Sequence, residues 1–409
     1  MNVRRILPEE YKRCQELWTL CFEFRMKGPD KTSRELLDDL KSNPRTREDL
    51  CWDNRWVAFD DEGAMMSVLG VIPWEACFDG HTVRMDGVGG VATRPEYRRR
   101  GAVRACFNAA LPAMRREGAL LSYLYPFSTD FYRKFGYAMG CDWTLWKLAL
   151  AGLPEAKLDG RWRLIEKGMD VVDDLRAVDA ARQGRYNLMV VDGDIEYRWA
   201  GEVNPYAHRE YSYLYYGADG APRGYISWVP ATDADGDSVL DVKRLGYVDR
   251  EGLLAMLTLM RRLAADHSHA LLRLPCDVSL KGVLPEWRLG RVRRTVETRG
   301  MVRAVNVEGL LRIARTRGAG RLAVAVEDPV IPENDGTFQV TFDGAGTNDV
   351  RRTDHAPDIR MTIQAFSRMI CGLEDGVDPQ WQPGVTLLGD RREAEKVFFR
   401  KPCFIERYF

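Results

Sequence analysis

The stretch Val91-Ala92-Thr93-Arg94-Pro95-Glu96-Tyr97-Arg98-Arg99-Arg100-Gly101-Ala102-Val103-Arg104 decides how the rest of the chain is read. An apolar run, Val83–Ala92, leads into a short loop that turns on Pro95. From Gly101 to about Glu117, Val103, Phe107, Leu111 and Met114 recur on one helical face. Pro112 predicts a kink or an early end near Leu111. Strand, loop and helix start in this order present unpaired amide N–H groups at the positive end of a helix dipole. Gly101 lets a ligand approach the backbone closely, and three consecutive arginines add charge. The stretch reads either as a pyrophosphate cradle or as a solvated basic turn before an ordinary helix. It is not a P-loop, because no Gly-Lys followed by Ser or Thr is present, and it lacks the G-x-G-x-x-G dinucleotide fingerprint.

Working outward, the first third is α/β in pattern. Pro8-Glu9-Glu10 suits a helix start, followed by helical spacing over Tyr11–Phe24 and again over Ser33–Leu40. Strand runs Trp56–Phe59 and Ser67–Trp74 precede Val83–Ala92, separated by the turns Asp60-Asp61-Glu62-Gly63 and Asp79-Gly80. Leu120–Leu124 reads as a strand, and Phe131–Phe135 as a short helix ended by Gly136. The same order recurs further on. A helix over Val171–Arg182 leads to strands Tyr211–Tyr216, Gly224–Pro230 and Val239–Gly246, then helix Arg250–Ala265 and strand Leu271–Pro275. Element order repeats while the letters do not, as in a divergent duplication. The remainder differs from both. Strands Leu322–Glu327 and Thr337–Phe342 are followed by Asp358–Thr362 and an amphipathic helix, Ile363–Cys371. The tail, Val397–Phe409, carries Phe398, Phe399, Phe404, Ile405, Tyr408 and Phe409, and an end this apolar is expected to be buried.

The chain has 409 residues, enough for two or three domains at roughly 150 residues each. Sixty basic residues balance sixty acidic ones, which argues against a nucleic-acid partner. Hydrophobic residues make up 45%, enough for a packed core. No apolar run approaches the ~20 residues a bilayer needs, and Met1–Glu10 lacks a signal-peptide core, so a cytoplasmic location without membrane contact is expected. Nine scattered cysteines with no C-x-x-C read as reduced core thiols, Cys106 among them. Asp233, Asp235 and Asp237 hint at a calcium loop, but its twelfth position would be Arg244, so a hairpin turn is expected. His267 and His269 are poorly spaced for a shared metal, no Cys/His pattern fits zinc, and no metal is expected.

Arg98-Arg99-Arg100-Gly101-Ala102-Val103 resembles the coenzyme A motif of the GNAT acetyltransferases, R-x-x-G-x followed by Gly or Ala, with valine at the last position. The longer string P-E-Y-R-R-R-G-A-V-R (95–104) and F-Y-R-K-F-G-Y (131–137) resemble the Eis family of N-acetyltransferases, over the whole chain. The resemblance implies an α+β chain of tandem GNAT folds, with mixed twisted sheets flanked by helices. A C-terminal α/β domain like a sterol carrier protein follows. The expected domains are 1–150, which binds acetyl-CoA, a degenerate copy at 151–292, and 293–409, whose end enters the active site. It further implies Tyr132 as general acid and the chain-terminal carboxylate of Phe409 as general base. Contacts to acetyl-CoA would come from Val91, Ala92, Thr93, Arg99, Arg100, Gly101, Ala102, Val103, Arg104, Phe127 and Ser128. The implied acceptor is an amine, on an aminoglycoside, another polyamine or a lysine side chain, and the implied assembly is a homo-hexamer. Glu23 and Glu406 are candidates by position for holding a cationic acceptor. Tyr408 stands where some relatives carry an acidic residue next to last, which speaks against potent multi-site aminoglycoside acetylation. The competing expectation is a binding protein for an apolar ligand, built on an inactive acetyltransferase scaffold.

Overall fold

In the computed structural model, residues 1–22, 24–288, 291–374, 377–378 and 381–409 are described. Two compact units result: Met1–Gly140 with Arg299–Lys401 and Arg407–Phe409, and Cys141–Thr298 with Pro402–Glu406.

The first unit opens with β1 (Asn2–Arg5), α1 (Tyr11–Cys21), α2 (Ser33–Ser42) and α3 (Arg47–Leu50). There follow β2 (Arg55–Phe59), β3 (Met65–Phe78), β4 (His81–Thr93), α4 (Ala102–Arg116), β5 (Leu121–Leu124), α5 (Thr129–Arg133) and β6 (Ala138–Met139). The sheet runs β1-β2-β3-β4-β5, then the strand Met301–Ala304, then β6. β2, β3 and β4 form an antiparallel meander, whereas β4 and β5 are parallel and need the α4 crossover. α4 lays Cys106, Phe107, Ala110, Leu111 and Met114 over Val71, Val88 and Leu124. The helix does not stop at Leu111. It continues through Pro112 to Arg116, because Leu111, Ala113 and Met114 are all buried around the proline. Their burial outweighs the ~3 kcal/mol a mid-helix proline costs.

A second sheet in this unit has the order Asp349–Arg352, Gly336–Phe342, Gly320–Glu327, Ile359–Thr362, Val385–Leu387. Helices Val307–Ile313, Ile363–Cys371 and Arg391–Val397 accompany it. Arg303 and Asp328, both fully buried, join the two sheets through an ion pair at 2.8 Å, and Arg303 also donates to the Phe135 carbonyl at 2.7 Å. Lys401, equally buried, pairs with Asp79 at 2.5 Å.

The second unit repeats the plan of a meander followed by a crossover. Its sheet runs Val292–Thr298, Asp142–Ala149, His269–Pro275, Ser238–Tyr247, Pro222–Thr232, Tyr211–Tyr216, Arg161–Leu164. The parallel pair is Ser238–Tyr247 with His269–Pro275, joined through helix Arg250–Arg261. Sequence patterning had not marked the strands Asp142–Ala149 and Val292–Thr298. The Asp233–Asp237 turn brings three carboxylates together, and the Lys147 ammonium sits among them at 2.6, 3.0 and 2.6 Å. That buried ammonium supplies the positive charge a metal would otherwise bring.

Candidate active site

The parallel pairing of β4 with β5 stops at Val88 and Leu124, yet β4 runs on to Thr93. Beyond that point the β5-facing edge of β4, Gly89 to Val91, has no strand beside it among the described residues. A bulge sits on the same stretch: Val68 pairs with Ala92 and Gly70 with Gly89, so Leu69 faces both Gly90 and Val91. Gly90 adopts φ +58°, and its carbonyl accepts a hydrogen bond from the Trp18 indole at 2.7 Å. A Cβ at Gly90 would lie 2.7 Å from the Trp18 ring, so only glycine fits there. Ala92 is buried and Thr93 hydrogen-bonds Ser67 at 3.1 Å.

The loop after β4 is fastened by the Tyr97 hydroxyl, which donates to Asp60 at 2.9 Å. Arg99 and Gly101 both take positive φ, +64° and +83°, turning the backbone into the N-terminus of α4. A Cβ at Gly101 would meet nothing within 4 Å, so the space before the helix is open. Among the described residues no carboxylate holds Arg98, Arg99, Arg100 or Arg104, although Arg100 lies 5.3 Å from the Tyr97 ring. Free guanidiniums beside exposed helix amides suit a pyrophosphate. Ala102 is buried and Val103 half-buried on the first turn, so these two contribute backbone rather than side chain.

Tyr132 lies on α5, whose first turn is capped by Ser128. Its ring packs edge-on to Phe107, Phe127 and Phe131. Burial pushes its phenol well above the ordinary tyrosine range. The hydroxyl makes no hydrogen bond to any described residue. Tyr137, the other tyrosine of the F-Y-R-K-F-G-Y string, is fully buried and bonded to Ser122 at 2.7 Å. Phe127 beside Tyr132 is 74% exposed, a large apolar surface left bare. Cys106 is packed in the α4 core with its thiol pushed up to about 12 by burial, which removes it as a nucleophile.

The chain end lies on the other face of β4. Side chains alternate along a strand, so Val88, in the α4 core with Tyr132, points opposite to Gly87 and Gly89. Over those two glycines lies Phe409. A Cβ on Gly87 would stand 2.5 Å from its ring, and one on Gly89 would be 3.8 Å from its carboxylate carbon. Trp74, Tyr123 and Tyr125 surround the ring at 5.6, 6.5 and 5.6 Å between centroids. The Tyr125 hydroxyl donates to the Arg407 carbonyl at 2.5 Å. Phe409 also lines a cavity of about 780 Å³ with Trp18, Arg55, Ile72, Gly89 and Gly90. Of the apolar tail, Phe398, Phe399, Phe404 and Ile405 are buried as expected, whereas Tyr408 is 72% exposed and stacks on Tyr125. Sequence reading passed over Gly87, Gly89, Trp74 and Tyr125. Alternate glycines inside a strand were the available signal of a close approach. Glu23 lies outside the described residues. Glu406 belongs to the second unit, where its carboxylate accepts from Arg182 at 3.4 Å and from the Leu245 amide at 3.3 Å. It is committed to that ion pair.

A parted pair of parallel strands, a bulge, an arginine loop and an uncapped helix start lie together at one end of the first unit's sheet. Residues 2–140 match the acetyltransferase (GNAT) domain family and residues 195–313 match a second acetyltransferase (GNAT) family. Residues 307–404 match the sterol carrier protein domain. The chain is thus an acyltransferase built of two GNAT domains and a sterol carrier protein domain, and such domains draw on acyl-CoA donors. Whole-chain likeness extends to Eis1 from Mycobacterium abscessus, at 18% identity and a TM-score of 0.78 over 100% of both chains. A GCN5-related N-acetyltransferase from Anabaena variabilis superposes at TM-score 0.83 and 17% identity, again over 100% of both. A probable N-acyltransferase from Enterococcus faecalis does so at 0.82 and 18%, over 100% of this chain and 99% of the other. At these identities the likeness is one of fold. No curated protein matches the chain by sequence. Among the described residues no helix is long and apolar enough to cross a membrane.

Proposed function

We propose that the protein is an acetyl-CoA-dependent N-acetyltransferase of Eis type, in which residues 1–150 carry the catalysis and the end of the 293–409 segment supplies the base. The observation that carries this reading is the placement of Tyr132 and Phe409 on opposite faces of β4, beside the point where β4 and β5 part. Bound acetyl-CoA supplies a thioester carbonyl open to attack by an amine. Arg99, Arg100, Arg104 and the amides of Gly101, Ala102 and Val103 hold the pyrophosphate, with Phe127 and Ser128 as further contacts to acetyl-CoA near Tyr132. The Gly89–Val91 edge that β5 leaves unpaired, continued by Ala92 and Thr93, orients and polarises the carbonyl.

The α-carboxylate of Phe409 takes the proton from the attacking amine. An ordinary lysine-like amine, with pKa ~10.4, is almost wholly protonated at neutral pH, so a base at that spot is needed. On the α4 face, Tyr132 returns a proton to the departing sulfur. Its raised pKa keeps the phenol protonated throughout the neutral range. A thiolate formed in the same dry surroundings is likewise destabilised, which keeps the transfer favourable.

C-terminal extension is the direct test. Two added residues turn the Phe409 carboxylate into a neutral amide while leaving the buried Phe398, Phe404 and Ile405 untouched. Coenzyme A release with a panel of amines should vanish at an unchanged melting temperature. An extended protein of normal turnover would remove the carboxylate from the reaction. Apolar-ligand carriage on an inert scaffold predicts no coenzyme A release by the parent protein with any amine.

A further inference from the structure

Among the described residues, the cavity that Phe409 lines does not have the acidic lining a polycation would require. Its described lining has five cations (Arg25, Lys27, Lys31, Arg45, Arg55) against Asp39, Glu48, Asp49 and the terminal carboxylate. Two of those acids are already engaged. Asp39 pairs with Lys31, and Asp49 accepts the Arg45 and Thr46 amides at 2.9 and 3.0 Å. Glu48 makes no side-chain hydrogen bond or ion pair among the described residues. Burial pushes its carboxyl above the usual range, by more than the charge of Arg55 draws it down.

Arg55 is its counterpart. It is only 4% exposed, and its Nη1 is buried without a hydrogen-bond partner. The guanidinium stacks against Tyr11 and Trp18 at 4.9 and 4.4 Å from their centroids, and Trp18 in turn holds the Gly90 carbonyl. Arg55 is fixed on β2 and Glu48 on the short α3 helix capped by Thr46. Both residues line one cavity, and neither side chain has an ion-pair partner among the described residues. A buried guanidinium and a half-buried carboxylate that line one cavity without ion-pair partners suit a ligand carrying both complementary charges.

We propose that the acceptor carries a zwitterionic amino-acid head in addition to its reacting amine, with its carboxylate on Arg55 and its ammonium on Glu48. A diamino acid such as free lysine then presents its side-chain amine toward Phe409 and the Gly89–Gly90 edge. The assignment deepens the amine-acetylation reading and rests on it.

Three probes separate the groups: L-lysine, 1,5-diaminopentane, which lacks the carboxylate, and 6-aminohexanoate, which lacks the α-ammonium. Binding of each to the full-length protein is measured by calorimetry, and coenzyme A release is followed in parallel. Lysine should bind at least about tenfold more tightly than either analogue, the worth of one charge-assisted hydrogen bond. Arg55→Met should bring lysine down to the level of diaminopentane, and Glu48→Gln to that of aminohexanoate. Equal or tighter binding of diaminopentane by the parent protein overturns the proposal, and so does failure of all three to bind at millimolar concentration. A loss in Arg55→Met that is the same for lysine and diaminopentane also overturns it, as Arg55 would then merely support the fold. The parent comparison needs no variant, so a poorly folding Arg55→Met leaves the test intact. Preferential lysine binding without coenzyme A release would sustain the head-group assignment while refuting N-acetylation.

Discussion

Replacing Gly87 by alanine tests the seat of the terminal carboxylate with one methyl group. Gly87 is absent from the positive-φ glycines, so its strand backbone accepts alanine without strain. The added Cβ would stand 2.5 and 2.6 Å from Cε2 and Cδ2 of Phe409 and 3.1 Å from Cδ1 of Trp74. Carbon–carbon contacts need about 3.5–4.0 Å, so something must retreat by about 1 Å. Trp74 is buried in the sheet, whereas Phe409 is a half-buried terminal residue, so the phenylalanine moves. A reacting group misplaced by ~1 Å costs about 10²-fold in rate, or ~2.7 kcal/mol of barrier. We expect Gly87→Ala to lower kcat/KM for coenzyme A release by that factor, with acetyl-CoA affinity and melting temperature close to the parent's. The control is Phe409→Ala, which keeps a terminal carboxylate and removes the ring that the methyl strikes. In the double variant the loss should fall short of the product of the two single losses. Parental turnover in Gly87→Ala, or strictly multiplicative losses in the double variant, would show that this contact does not position the base.

Tyr132→Phe should keep the fold and lower kcat by roughly 10²–10⁴, the span of a general acid. Because burial raises the Tyr132 pKa, the pH profile of the parent protein should rise with amine deprotonation and show no descending limb below about pH 10. Calorimetry should find acetyl-CoA binding hurt more by Gly101→Val than by Arg99→Ala, since a branched side chain at φ +83° both strains the turn and fills the open space before α4. Lys401→Met should cost about 3–5 kcal/mol of unfolding free energy by denaturant titration, because Asp79 is left charged and buried. Adding Asp79→Asn should recover much of that loss.

Legibility in the sequence followed the kind of signal each element leaves. β4, its loop and α4 were readable because an apolar run, a proline, glycine at the turn and a 3.6-residue repeat all agree there. The run Ile363–Cys371 was found to the residue for the same reason. Val292–Thr298 was missed because it is mostly exposed, with two arginines and a glutamate interrupting the pattern. Arg303 would be assigned to the surface by composition, yet it is wholly buried because Asp328 and the Phe135 carbonyl satisfy it. Tyr132 and Phe409 stood out only through the motif string and the apolar tail. Phe409's seat was invisible because its walls are glycines, which add nothing to a hydrophobic period. Arg55 and Glu48 look like ordinary surface charges until the fold sets both against one cavity.

The two crossovers differ in a way that suits the first of the duplicated units to the proposed chemistry. In the first, eight residues separate Thr93 at the end of β4 from Ala102 at the start of α4, and the helix has no side-chain cap. Its positive end is left to an incoming anion. In the second, only Val248 and Asp249 lie between strand Ser238–Tyr247 and helix Arg250–Arg261. Asp249 caps that helix, accepting the Gly252 amide at 2.9 Å, and its carboxylate also meets Arg223 at 2.6 Å. The amide that would face a phosphate is therefore already bound to a carboxylate, and a second anion arriving there would meet like charge. Loop length and a single aspartate set the two helix starts apart, while the strand order around them stays the same.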